Sequence, residues 1–127
     1  MKDLLLVGGG GFLGSVARYL IGGLVLHATG AARFPWSTLF VNATGCLAIG
    51  VLAGFAERAH VLSPATRLFL ITGFLGGYTT FSAFAYETFF LGREHAWVSA
   101  AANVLASVTL GLAAVWVGYR LAIILGA

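Results

Sequence analysis

The residues best equipped for chemistry lie in one run, G-F-L-G-G-Y-T-T-F-S-A-F, from Gly73 to Phe84. Thr79, Thr80 and Ser82 supply hydroxyls, Phe81 and Phe84 supply ring edges, and Gly76-Gly77 just ahead of them loosens a helix that contains them. Asn42, in V-N-A-T-G-C, adds an amide. These donors are neutral: hydroxyl and amide hydrogens point at an anion, and aromatic rings carry positive edges that do so without a fixed charge. No carboxylate cluster is present to coordinate a cation through side chains. A conducted ion must bind well enough to enter and weakly enough to leave, and neutral donors with ring edges meet both demands. The implied chemistry is passage of a small anion. The sequence holds no nucleophile–base pair and no metal-ligand spacing of the kind an enzyme needs.

Such a run must be positioned by elements that live in lipid. The chain has 127 residues, 60% of them hydrophobic and only 9% charged, with a mean hydropathy of +0.98. A soluble domain carries about a quarter charged residues, so the composition is that of an integral membrane protein in a lipid bilayer. A helix needs ~20 apolar residues to cross the ~30 Å hydrocarbon core. The gaps between charges predict an all-α fold of four spans, at about 4–26, 34–56, 68–90 and 96–120, in one membrane domain covering 1–127. Little chain is left for a soluble catalytic or nucleic-acid-binding domain. The net charge of +3 is scattered without a Lys/Arg cluster, which excludes nucleic acid as a partner. The single cysteine, Cys46, sits in an apolar stretch and reads as a packing residue. Asp3 and the hydrophobic stretch continuing to Leu26 argue against a cleaved signal peptide, so the N-terminus reads as the start of the first span.

The third span therefore carries the Gly73–Phe84 run in its middle and is expected to break there. Unwound backbone at bilayer depth survives only where protein or a water-filled path satisfies its N–H and C=O groups, and broken helices of this kind mark ion sites in transport proteins. Small residues at helix-packing spacing, Gly10 with Gly14 and Gly50 with Gly54, predict close helix–helix approach. Lys2, Arg58, Arg67 and Arg120 fall on the face shared by both termini, and Arg33 and Arg93 on the other. Loop Lys/Arg bias sets orientation, and four against two is a weak instruction. It is compatible with one orientation or with insertion both ways.

Polar groups inside spans are functional hypotheses, because an uncompensated charge at mid-membrane costs at least ~2.5–3.5 kcal/mol. Arg18 either snorkels to an interface or faces an aqueous path. Asn42 is either a clamp between helices or a donor to the ion. Glu87, at i+7 from Thr80 and i+3 from Phe84, either shares their face or marks the end of the span. Asn103 and Ser107, four apart, share a face of the fourth span.

Three strings in order carry a resemblance over the whole chain: G-x-x-x-R-Y at Gly14 to Tyr19, T-L-x-V-N-x-x-G at Thr38 to Gly45, and G-G-x-T-T-F-S-x-F at Gly76 to Phe84. With four spans and this length, the chain resembles the CrcB/Fluc fluoride channels. The resemblance implies an antiparallel, dual-topology homodimer in the cytoplasmic (inner) membrane that exports fluoride passively through two pores. It implies that Asn42 is the pore amide and that Phe81 and Phe84 contact fluoride. Thr38, Thr80, Ser82, Glu87 and Ser107 continue the polar track, with Arg18 at the aqueous vestibule. It further implies a structural Na⁺ at the dimer centre, held by the backbone carbonyls of Gly76 and Thr79 and the same pair from the second copy. Two positions depart from the pattern: Ala83 stands where threonine is common, and Asn103 where some members carry tyrosine.

Two other readings compete. A four-helix proton-coupled multidrug or cation exporter shares this size and topology but needs a titratable carboxylate in its chamber, commonly in the first span. Here Asp3 lies at the extreme end of that span, leaving Glu87. A non-transporting assembly subunit explains the packing glycines and gives no reason for Thr-Thr-Phe-Ser.

Overall fold

The structure, a computed structural model, describes residues 1–30, 32–59 and 62–125, with backbone alone at 58 and 59. The side chain of Arg58, counted above among the orienting charges, lies outside the described residues. All regular structure among the described residues is helical: α1 (Lys2–Thr29), α2 (Trp36–Ala59), α3 (Pro64–Arg67), a π-helix (Leu68–Leu75), α4 (Gly76–Tyr78), α5 (Phe81–Arg93) and α6 (Trp97–Leu125). Four stretches, Lys2–Thr29, Trp36–Glu57, Pro64–Arg93 and Trp97–Leu125, are long and apolar enough to cross a membrane. The helices outrun the apolar stretches by a few residues because caps and turns, not hydropathy, end them. Ser63 caps α3 by accepting the Thr66 N–H at 3.1 Å, with Pro64 in the first turn where its missing N–H is not needed.

The chain runs up and down. Arg33, after α1, meets Glu94, after α5, at 3.5 Å. At the other end the Tyr119 hydroxyl donates to Glu57 Oε2 at 2.7 Å. Helices that run in the same direction pack closest: α1 lies along the π-helix and α4, and α2 along α6. Glycines make both seams. A Cβ on Gly10 or Gly14 would strike the Phe69 or Phe74 carbonyl, and one on Gly50 would strike that of Val115. With lipid as apolar as leucine, such close backbone packing is what holds helices together. Val41, Leu75 and Tyr78 form a small buried core where these seams converge.

The third span is interrupted inside the Gly73–Phe84 run, just after Gly76-Gly77 rather than at them. Gly76–Tyr78 remain helical, and the chain leaves the helix at Thr79 (φ −81°, ψ 157°) and Thr80 (φ −149°, ψ 118°) before α5 starts at Phe81. Gly77 is needed elsewhere, since a Cβ there would strike the Gly11 carbonyl of α1. Ahead of the break, eight residues wind as a π-helix, a form usually confined to single turns near functional sites. The sequence carried no sign of it.

Candidate functional site

Two side chains hold the break open. Asn42, on α2, trades two hydrogen bonds with the backbone of Thr80: its Nδ2 donates to the Thr80 carbonyl at 3.0 Å, and its Oδ1 accepts the Thr80 N–H at 2.8 Å. In an unbroken helix that N–H would serve the Gly76 carbonyl, four residues back. Thr80 then caps α5, its Oγ1 accepting the Ala83 N–H at 3.2 Å, the donor an unbroken helix would give to the Thr79 carbonyl. Four carbonyls, those of Gly76, Gly77, Tyr78 and Thr79, lose their helical donors at the break. That of Gly77 accepts the Ser15 hydroxyl at 3.5 Å, and those of Gly76 and Thr79 are the two whose donors are taken by the Asn42 and Thr80 side chains. Thr79 Oγ1 donates its one hydrogen back to the Leu75 carbonyl at 2.9 Å, so the Gly76 and Thr79 carbonyls, with the lone pairs of that hydroxyl, are the oxygens the break can turn to a cation. This is a hard-oxygen donor set of the kind a small monovalent cation takes. Among the described residues no three His, Cys, Asp or Glu side chains gather as an alternative.

Beside the break opens a cavity of about 440 Å³ whose walls include Asn42, Thr79, Thr80, Phe81, Phe84 and Ser107. The Phe81 and Phe84 rings sit 5.6 Å apart, tilted by 47°. Asn42 has spent one amide hydrogen on Thr80 and keeps the other. Cys46 is also in the wall. Gly76 borders the cavity, and Phe81, at 78% exposure, is left largely uncovered by the single chain. Ser82 is not in the wall and shares a hydrogen bond with Thr80 Oγ1 at 3.2 Å.

One turn from Asn42 on α2, Thr38 donates to Glu87 Oε1 at 2.7 Å. The other oxygen, Oε2, is buried with no hydrogen-bond partner. Glu87 also borders a second cavity of about 230 Å³ with Tyr86, Phe90, Arg33 and Glu94. The structure therefore brings together Asn42, Thr80, Phe81, Phe84 and Ser107, and continues through Thr38 and Glu87 to the Arg33–Glu94 end. Thr80 itself stands outside α5 as its cap, so it does not share a continuous helical face with Phe84 and Glu87. Arg18, half-buried on α1, lies in neither cavity wall. Asn103 is 1% exposed and donates to Thr88 Oγ1 at 2.8 Å. Thr88 in turn donates to the Phe84 carbonyl at 2.7 Å. Thr88 escaped the sequence reading, although its position one turn after Phe84 was the signal. Tyr78, paired with Thr44 Oγ1 at 2.8 Å, had no such signal.

Residues 5–119 match the family described as CrcB-like protein, Camphor Resistance (CrcB). The chain is 51% identical over 121 residues to a protein of Rhizobium meliloti (strain 1021) named fluoride-specific ion channel FluC, covering 95% of this chain and 96% of the relative. A Solibacter usitatus (strain Ellin6076) protein of the same name is 51% identical over 122 residues, covering 96% and 98%. One from Geobacter sulfurreducens is 48% identical over 118 residues, covering 93% and 94%.

Proposed function

The chain belongs to the CrcB family, and on that premise we propose that it is a fluoride-specific ion channel, not an enzyme, in the cytoplasmic (inner) membrane. Fluoride leaves through it passively, which lowers fluoride toxicity in the cytoplasm. The observation that carries the reading is the Asn42 amide, held by Thr80 with one N–H to spare, beside the Phe81 and Phe84 rings. Its bonds to Thr80 fix the amide's orientation, so that spare hydrogen and the ring edges are placed before the ion arrives. Ser107 extends the donor set on one side of this point; on the other the polar track runs on through Thr38, whose hydroxyl hydrogen is given to Glu87, and the Glu87 carboxyl itself. A track of neutral donors binds fluoride in steps without a fixed positive charge that would hold it. The proton-coupled exporter is not favoured: its only carboxylate away from a span end, Glu87, is engaged by Thr38, and the relatives are named as channels.

The break lies in the middle of the third span, at bilayer depth, and the working unit is an antiparallel dual-topology homodimer. Supporting this, Phe81 and Gly76 flank the break yet stand exposed on the single chain, and the loop charges scarcely favour either orientation. The Gly76 and Thr79 carbonyls, with those of a second copy, would hold Na⁺. When bound, this cation would offset the repulsion between converging carbonyl dipoles. Fluoride efflux from liposomes containing only the purified protein tests the reading, with chloride as the control ion. Absence of fluoride efflux, or equal chloride efflux, would overturn it.

A further inference from the structure

We propose that Asn42 and Thr80 are positioning residues for the cation site, so that the anion pathway and the cation site share one structural part. This rests on the channel reading and on the cation placed above. Each of the two carbonyls assigned to the cation is left without its helical donor by one of these side chains. Asn42 Oδ1 takes the Thr80 N–H at 2.8 Å, freeing Gly76, and Thr80 Oγ1 takes the Ala83 N–H at 3.2 Å, freeing Thr79. A carbonyl already bonded within its helix must give up that bond before it turns to a cation. Deleting either side chain releases an N–H that is four residues along from its carbonyl and regains it once Thr79 and Thr80, extended at the break, return to helical angles. Asn42 therefore has two tasks on two faces. Its Oδ1 keeps the break open toward the cation, while its spare amide hydrogen faces the cavity.

The test measures Na⁺-dependent stabilisation of the purified dimer, by thermal unfolding as NaCl replaces N-methyl-D-glucamine chloride, alongside fluoride efflux. A ligand bound only by the folded state raises the unfolding temperature with its concentration. Asn42→Leu should lose efflux and need about tenfold more Na⁺ or higher for half its effect, the equivalent of one net hydrogen bond given up. Asn42→Asp keeps the acceptor for the Thr80 N–H, so it should lose efflux while its Na⁺ requirement stays at or below the parent's. Phe84→Ile should lose efflux with the parent's Na⁺ requirement. Should Asn42→Leu fail to assemble, Thr80→Ala decides. It should weaken Na⁺ dependence, and Thr80→Ser, which keeps the cap, should restore it. Parental Na⁺ dependence in Asn42→Leu or in Thr80→Ala overturns the proposal and leaves the channel reading intact. A parent that conducts fluoride but ignores Na⁺ removes the cation site and this proposal together, and a parent that responds to Na⁺ but does not conduct removes the channel reading alone.

Discussion

Thr38 satisfies one oxygen of Glu87 and leaves the other bare: the hydroxyl donates to Oε1 at 2.7 Å, while Oε2 is buried without a partner. A buried acceptor left unmet costs about 1–3 kcal/mol, more when charged, so this carboxyl is held against its own preference. It stands between the Asn42 cavity and the Arg33–Glu94 end. A negative charge there works against an anion, whereas a donor would help it.

Glu87→Gln should therefore be tolerated or beneficial. The amide oxygen still accepts from Thr38, and the amide nitrogen replaces the bare oxygen with donors. Fluoride efflux should equal or exceed the parent's, and thermal stability should not fall. Thr38→Val, similar in shape, strips the remaining donor and should lower the unfolding temperature. Loss of efflux in Glu87→Gln would mean that an ionised carboxylate takes part in conduction.

The interruption of the third span was legible in Gly76-Gly77-Tyr78-Thr79-Thr80 because glycines and hydroxyls together contradict a continuous membrane helix. Its register was not. The helix ends one residue beyond the glycines, at Tyr78, and just past it Asn42 captures the Thr80 N–H from 38 positions away in sequence. Asn42 had been readable as a clamp or as an ion donor, and its clamp to Thr80 leaves one hydrogen for the second role. The packing glycines were visible as pairs, yet nothing in their spacing said that Gly10 and Gly14 face the π-helix while Gly50 faces α6. Asn103 showed in sequence only a face shared with Ser107; its buried bond to Thr88 depends on how α5 meets α6.

The seam between α1 and the π-helix sets a second expectation. Gly14→Ala places a methyl group against the Phe74 carbonyl, which is backbone and cannot step aside. Gly23→Ala, on the same helix with nothing within 4 Å, meets open space. The first should cut the yield of assembled protein and lower its unfolding temperature, with a penalty of about 1–3 kcal/mol typical of overpacking. The second should leave both unchanged. Equal behaviour of the two variants would mean that this seam does not form.

Orientation is testable in cells. If the four-to-two loop bias reflects insertion both ways, a tag on the C-terminus will be found on both sides of the membrane. Two added lysines in either set of loops should then force one orientation and reduce fluoride efflux, because loop charge decides topology. A tag confined to one side in the parent chain would end the antiparallel arrangement.

The rings separate chemistry from packing. The Phe81 and Phe84 ring centroids lie 5.6 Å apart and both rings line the cavity with Asn42, but phenylalanine in a membrane helix is most often mere bulk. Isoleucine keeps apolar volume and deletes the quadrupole whose positive edge would meet an anion. Losing ~1.5–3 kcal/mol of anion stabilisation slows a permeation step about ten- to a hundredfold, since 1.36 kcal/mol is tenfold in rate. Phe→Tyr is no neutral control, because its hydroxyl could itself donate to the ion. An apolar-for-apolar exchange usually costs under ~1.5 kcal/mol of stability, and Phe81, largely exposed on the single chain, has little intrachain packing to lose. Flux and stability should therefore part company in Phe81→Ile and Phe84→Ile, with efflux reduced and thermal unfolding close to the parent's. If both variants conduct like the parent, the rings are packing and fluoride is carried by the amide and hydroxyl donors alone.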